Sequence, residues 1–381
     1  MKVYIIAGEP SGDILAARLM IALRKQYANI QFCGIGGESM AEQGFQSLFD
    51  IKDLSVMGFW EVLPKLPVIL RHMKEVLTDI EQQQPNVIVS VDSWGFVSSV
   101  LSKLKKRKIA TPKIHYVAPQ VWAWKKGRAK KAAKLMNHLM TLLPYEPQYF
   151  EKHGLATTFV GHPVIENTAD LPSNLETLRQ QFGIPENARV LCVLSGSRHN
   201  EIKKLSPIFI EVVKRLQQQI PNLYLLIPSV IAMKGEVEKI FADINIPHKI
   251  VVGQQQRYAA FCLSEFALAA SGTVSLELAA CGTPHIIAYK FNYLTNKMIA
   301  RLATTKYANL INIIADQPII PEFVLHNCCA DLIYPVAIDF LQNPAKRTEQ
   351  AESAKIILQQ LKPQDAMPSE MAAKVVSSYL E

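Results

Sequence analysis

The feature that most constrains this chain is a unit repeated along it: a short apolar run, a turn holding glycine or proline, then an amphipathic stretch. "KVYIIAG" leads into "SGDILAARLMIALRKQY", whose Ile14, Leu15, Leu19 and Leu23 recur at helical spacing. "IQFCGIGG", "NVIVSVD", "KIHYVAP", "HLMTLLP" and "TTFVGHP" continue the series; after a break, "RVLCVLSGS", "NLYLLIPS", "HKIVVG", "FALAASG" and "TPHIIAYK" resume it. Strands that are apolar on both faces and alternate with helices require a parallel sheet covered on both sides. The break, residues 166–188, is polar and turn-rich and reads as a linker. The pattern predicts an α/β protein of two doubly wound, Rossmann-like domains facing a cleft. The first is residues 1–165, joined by a C-terminal helix, 364–381, that crosses back to it; the second is 189–363.

Composition narrows the function classes. With 49% apolar residues a buried core is assured and global disorder is excluded. No apolar run reaches the length of a membrane span, and "MKVYIIAGEP" is interrupted at Glu9 too soon for a secretory leader. Six cysteines show no CxxC spacing and sit mostly in apolar stretches, the usage of reduced thiols in a cytoplasmic protein. The net charge of +8 is concentrated: between Asp92 and Glu146 there are twelve Lys and Arg and no acidic residue. Nucleic acid, anionic lipid headgroups or a phosphorylated substrate all fit such a segment.

Ligands of open parallel sheets bind beyond the carboxyl ends of the strands, and the second half offers two suitable turns there. In "VLCVLSGSRHNEI", Gly196 lets the backbone come close, Ser197 can donate and Arg198 offers a guanidinium fork to phosphate oxygens. In "LAASGTVSLELAACGTP", Ser271, Gly272 and Thr273 open a helix whose amide groups favour an anion. Glu277, about one turn on, can accept from two vicinal hydroxyls, as a ribose presents them. Together they point to a nucleoside diphosphate. There is no GxxxxGK[ST], no GxGxxG after the first strand, no DxD and no HExxH, so no metal or other cofactor is expected.

The first half distributes its polar groups differently. "AGEPSGD" has the backbone of a phosphate loop, yet Glu9 and Asp13 put carboxylates where the phosphate would lie. It reads better as half of an acceptor site: Ser11 and Gly12 face the cleft, Glu9 binds a sugar hydroxyl, and Asp13 caps or anchors the first helix. "SVDSWGF" places Asp92 at the end of an apolar strand, and "HYVAPQVWAWKKGRAKK" sets His115, Trp122 and Trp124 just before a basic run.

With these residues the chain resembles the lipid A disaccharide synthases, inverting glycosyltransferases of GT-B fold. The resemblance runs in order through "AGEPSGD", "GIGGESMAEQG", "HYVAPQVWAW", "FVGHP", "SGSRHNEI", "ASGTVSLELAACGTP" and "YANLINIIAD". It implies a UDP-2,3-diacylglucosamine donor, a 2,3-diacylglucosamine 1-phosphate acceptor and release of UDP as a β-1,6 bond forms. It also implies that Arg198 contacts the donor diphosphate, Glu277 the ribose and Asn312 the nucleotide, with Asp92 as general base on the acceptor 6-hydroxyl. The C-terminal helix can be exchanged between subunits in such a family, which makes a homodimer one arrangement open to this chain, although the sequence does not fix its oligomeric state. Two departures stand out. The family's second acid is replaced by Gly95 in Asp92-Ser93-Trp94-Gly95-Phe96, and Ser195 and Ile311 stand where prolines are usual.

Substrates with fatty chains reside in a bilayer, so peripheral attachment to the cytoplasmic face of the inner membrane is expected. "GFWEVLPKLPVILRHMKEVL" supplies a candidate patch in Phe59, Trp60, Leu63, Leu66, Val68 and Ile69. Lys125, Lys126 and Arg128 are candidates for the acceptor phosphate or a lipid headgroup. No aromatic interrupts 125–134, which demotes nucleic acid as a partner. Two other readings stand beside this one: an enzyme like the UDP-sugar 2-epimerases, and a non-catalytic basic protein that binds nucleotides or nucleic acid.

Overall fold

The computed structural model describes residues 1–54, 59–121, 127–168, 171–172, 174–270, 272–290 and 306–380, with 59–65 as backbone alone. The chain divides into two compact units, Met1–Pro163 with Leu361–Glu381, and Val164–Gln360. Each is built on a six-stranded sheet in which every pairing is parallel.

Unit 1 contains β1 (Lys2–Ala7), β2 (Gln31–Ile35), β3 (Val87–Val91), β4 (Lys113–Tyr116), β5 (His138–Thr141) and β6 (Ala156–Phe159), in the spatial order β2-β1-β3-β4-β5-β6. Its functional helices are α1 (Pro10–Gln26), α2 (Glu38–Ala41), α3 (Phe59–Gln83), α4 (Trp94–Lys106) and α5 (Gly127–Leu135). The alternation of β1 shows why the run must be apolar throughout. Val3, Ile5 and Ala7 enter a core with Leu19 and Leu23 of α1, while Tyr4 and Ile6 enter another with residues of α3 and α4.

Unit 2 repeats the plan. It opens with α6 (Pro147–Glu151) already behind it in unit 1, and carries α7 (Val164–Asn167), α8 (Leu175–Gln181), β7 (Arg189–Leu194), α9 (His199–Gln219), β8 (Leu223–Ser229) and α10 (Lys234–Phe241). There follow β9 (His248–Val252), α11 (Gln254–Leu263), β10 (Phe266–Ala270), α12 (Val274–Ala280), β11 (His285–Tyr289), α13 (Leu310–Ala315), β12 (Glu322–Val324), α14 (Ala330–Gln342) and α15 (Pro344–Gln359). The order is β12-β11-β10-β7-β8-β9. Within residues 166–188 the chain is more than a tether: α8 packs on α11, and Phe182 and Ile184 are buried with Val190, Tyr224 and Leu226.

The last helix, α16 (Pro368–Ser377), returns to unit 1 and buries Ala372, Ala373 and Val376 beside α1. The return is pinned at Gly161, whose φ is 89°; a Cβ there would lie 2.5 Å from Pro363 and 3.0 Å from the Leu361 carbonyl oxygen. The next residue, His162, donates its backbone N–H to that same carbonyl at 3.0 Å.

Candidate functional site

In both sheets the strand order reverses at one point, between β1 and β3 in unit 1 and between β7 and β10 in unit 2. The loops leaving these strands diverge there and open a crevice for ligand. The described candidates for catalysis and diphosphate binding lie on these loops or in the first turn of the helices that follow them.

In unit 1 the start of α1 is pressed against the end of β3. Gly12 allows it, since a Cβ there would sit 3.0 Å from the Val91 carbonyl oxygen and 3.6 Å from the Asp92 Cβ. Ser11 is thereby brought to Asp92, and its hydroxyl donates to Oδ2 at 3.1 Å, while Oδ1 accepts the Ser93 N–H at 2.9 Å. Ser93 in turn donates its hydroxyl to Glu9 Oε1 at 2.8 Å. Asp92 and Ser93 both hold left-handed backbone, with φ of 54° and 46°, and Val117, at the end of the adjacent β4, has a φ of 80°. A β-branched residue there is strained, and strain of this kind concentrates where a fold positions chemistry. Asp92, Glu9, Ser11 and Gly12 thus form one group.

Asp13 has another task. Its carboxylate accepts the backbone N–H groups of Gly37 and Ser39, both at 2.7 Å, and Met40 at 3.2 Å. It therefore caps α2 and ties the "GIGGE" turn to α1, rather than capping the first helix.

His115 is fully buried on β4. Its Nδ1 meets the Ser90 hydroxyl at 2.8 Å, and burial lowers its pKa to about 4, so it is neutral at pH 7. Burial does the same to His162. Both imidazoles are thus buried and uncharged at neutral pH. Among the basic residues, Arg128 is half-buried at the start of α5, and Lys131 reaches back to Ser98 at 3.1 Å with its ammonium 6.0 Å from the Trp94 ring.

On α3 the apolar stripe leaves the core midway. Met73, Val76, Leu77 and Ile80 are buried, whereas Leu66 and Leu70 are 43% and 48% exposed, with Val68 and Ile69 half-buried. The side chains of Phe59, Trp60 and Leu63 lie outside the described residues, as do Trp122, Trp124, Lys125, Lys126 and Ser271. Among the described residues no helix is long and apolar enough to cross a membrane.

In unit 2 the loop after β7 is organised by a residue that sequence reasoning passed over. Glu201 folds under it, accepting from Arg198 Nη1 at 2.9 Å and from the Ser197 N–H at 3.1 Å. Gly196, with φ of 118°, is required because a Cβ would lie 2.6 Å from Glu201. Arg198 remains 54% exposed, a guanidinium pre-oriented at the carboxyl edge of the sheet. Burial raises the pKa of Tyr289, at the end of β11, with Glu201 adding to the rise and Arg198 opposing it.

On the far side of the switch point, Gly272 and Thr273 are exposed ahead of α12. Glu277 pairs with Arg257 of α11, Nη2 to Oε1 at 3.0 Å. Desolvation raises its pKa, opposed by the Arg257 charge and by the Tyr258 hydroxyl. Asn312 is wholly buried and its amide is engaged by the fold: Nδ2 donates to the Ile320 carbonyl (2.7 Å) and Glu322 Oε1 (2.8 Å), and Oδ1 accepts the Ile320 N–H (2.8 Å). The structure thus gives it the task of holding residues 320–322 to α13. Beside it, Asn309 donates to Ser275, whose hydroxyl meets His285 Nε2 at 2.7 Å, a buried chain that locks the first turn of α12.

A model of the lipid-A-disaccharide synthetase family matches residues 3–376. A lipid-A-disaccharide synthase of Rhodospirillum centenum is 41% identical over 100% of this chain and 95% of its own. Another, from Rickettsia bellii, is 38% identical over 98% of each. Among solved structures, UDP-GlcNAc 2-epimerase from Neisseria meningitidis bound to UDP-GlcNAc superposes with a TM-score of 0.65, at 12% identity over 95% of this chain and 99% of that one.

Proposed function

This chain belongs to the lipid-A-disaccharide synthase family and is a glycosyltransferase, and from that membership we propose how its residues divide the reaction. The donor is UDP-2,3-diacylglucosamine and the acceptor 2,3-diacylglucosamine 1-phosphate. Asp92 takes the proton from the acceptor 6-hydroxyl as its oxygen attacks the donor anomeric carbon from the face opposite UDP. The bond from that carbon to the β-phosphate oxygen breaks, the configuration inverts, and UDP leaves. Unit 1 supplies the acceptor side, with Glu9, Ser11 and Gly12 beside the base. Unit 2 supplies the donor side, where Arg198, Ser197, Gly196 and the Ser271–Thr273 turn meet the charge that builds on the diphosphate and Glu277 takes the ribose.

The observation that carries this reading is the Asp92 carboxylate itself, held on both oxygens at a backbone-strained strand end beside the switch point. Gly95 removes the family's second acid, so the base role falls on Asp92 alone. Asn312 supports the nucleotide side of the site from α13, where its amide also holds residues 320–322. Lys125, Lys126 and Arg128 meet the acceptor phosphate or anionic lipid. The exposed end of α3, with Leu66 and Leu70, rests on the cytoplasmic face of the inner membrane. Exchange of α16 between subunits would make a homodimer.

Purified protein given both acylated substrates should yield disaccharide and UDP in equal amounts. UDP release without acceptor, or conversion of a UDP-sugar to its 2-epimer, would overturn the reading. The epimerase alternative is not favoured, because at 12% identity that likeness is one of fold alone.

A further inference from the structure

Glu277 does not stand alone. Two consecutive residues of α11 act on it: Arg257, whose Nη2 donates to Oε1 at 3.0 Å, and Tyr258, whose hydroxyl works with the Arg257 charge to lower the carboxyl pKa against burial. The Tyr258 hydroxyl is itself oriented from behind. Asn167 Nδ2 donates to the Tyr258 oxygen at 2.7 Å, which leaves the phenolic proton to be given forward to Glu277. The Arg257 guanidinium also lies over the Tyr258 ring, 5.7 Å from its centroid, so the two side chains brace each other.

An ionised carboxylate has about four lone-pair sites. Arg257 occupies one of them, which leaves enough for the two that a pair of vicinal hydroxyls needs. Glu277 is 17% exposed, open enough to be reached and buried enough that its charge needs support.

We propose that Arg257 and Tyr258 are positioning residues that hold the Glu277 carboxylate ionised and aimed at both ribose hydroxyls, and so set a preference for ribonucleotides over 2′-deoxyribonucleotides. The proposal rests on reading Glu277 as the ribose acceptor. A plain helix–helix staple would use the same ion pair but would have no bearing on which sugar is bound.

The experiment is calorimetric titration of UDP and of 2′-deoxy-UDP against the full-length protein and four variants. A hydrogen bond to a charged acceptor corresponds to a preference between about tenfold and hundredfold for UDP in the wild type. Arg257→Met and Tyr258→Phe should shrink that ratio toward one, and Arg257→Lys should restore part of it. The ratio is internal to each variant, so a general loosening of the fold, which weakens both ligands alike, does not imitate the result. If Arg257→Met and Tyr258→Phe keep the wild-type ratio while Glu277→Gln loses it, Glu277 reads the ribose unaided and the proposal is overturned. If Glu277→Gln also keeps the ratio, the ribose reading of Glu277 fails with it.

Discussion

The two switch points share a topology and differ in chemistry. Each lies between the first strand of its sheet and the strand that starts the opposite wing, and each is closed by two strand-to-helix loops. In unit 1 those loops carry two carboxylates and two hydroxyls bonded to one another, Glu9 to Ser93 and Ser11 to Asp92, with Asp92 and Ser93 on left-handed backbone. In unit 2 they carry a glycine-rich turn and an arginine steadied by Glu201, with a second carboxylate, Glu277, matched by Arg257. The sheet order determines where a ligand can enter, and the charge on the loops determines which ligand. A site of anionic side chains that accept hydrogen bonds suits hydroxyls and protons; one of backbone amides and a guanidinium suits phosphate.

The largest expected effect tests that division directly. Asp92→Asn keeps the shape of the side chain and removes its basicity, and Arg198→Ala removes the charge proposed to meet the leaving diphosphate. Each should lower turnover on the order of 10²–10³-fold or more. The split between binding constants distinguishes them: Arg198→Ala should weaken UDP binding, and Asp92→Asn should leave it unchanged. Near-normal turnover by Asp92→Asn at saturating substrate would remove the base from unit 1 and break the contrast.

A smaller effect separates the units by pH. His115 and His162 in unit 1 and His285 in unit 2 are buried neutral, with pKa values lowered from 6.5 to about 4. The unfolded chain takes up these protons first as pH falls. Their stabilisation is therefore complete above about pH 6.5, is lost progressively down to about pH 4, and changes no further below it. At pH 5 each accounts for about 2 kcal/mol. Burial also lowers the pKa of His138 in unit 1. Acid should accordingly loosen unit 1 more than unit 2, as read by hydrogen exchange of β1 and β3 against β7 and β10 between pH 7 and 5. Equal acceleration in both sheets would contradict the assignment.

Much of this was legible in the sequence because it is local. The first eleven strands are apolar runs with turn residues at their ends, and the loops at 8–12, 92–93, 195–198 and 272–273 follow from them. What escaped was short or distant. β12 has only three residues, Glu322–Val324, and no periodicity to betray it. Asp13 looked like a residue of its own helix, but its partners are 24 to 27 positions away on the turn before α2. Arg257 sits in the polar "QQQRY" start of a helix, a pattern that reads as solvated surface until the fold sets it against Glu277. Glu201 could have been found: a glycine with a charged residue one helical turn beyond the loop is the signal of a side chain folded back beneath it. Asn312 shows a role that sequence does not reveal, a polar residue in a site motif whose amide also ties residues 320–322 to α13.

The smallest effect bears on how the acidic centre is aimed. Ser11 gives Asp92 one hydrogen bond, at 3.1 Å and open to solvent, while the Ser93 N–H on the other oxygen is fixed by the backbone. Ser11→Ala therefore leaves the carboxylate charged and tethered at one oxygen, free to turn about it. Losing a solvent-exposed hydrogen bond to a charged group amounts to about 1 kcal/mol, or several-fold in rate. The loss should appear in kcat with the acylated acceptor, with UDP affinity unchanged and Ser11→Thr recovering part of it. A drop as large as that of Asp92→Asn would mean that Ser11 touches the reacting hydroxyl itself, and the aim of the base would then depend on the Asp92–Ser93 backbone alone.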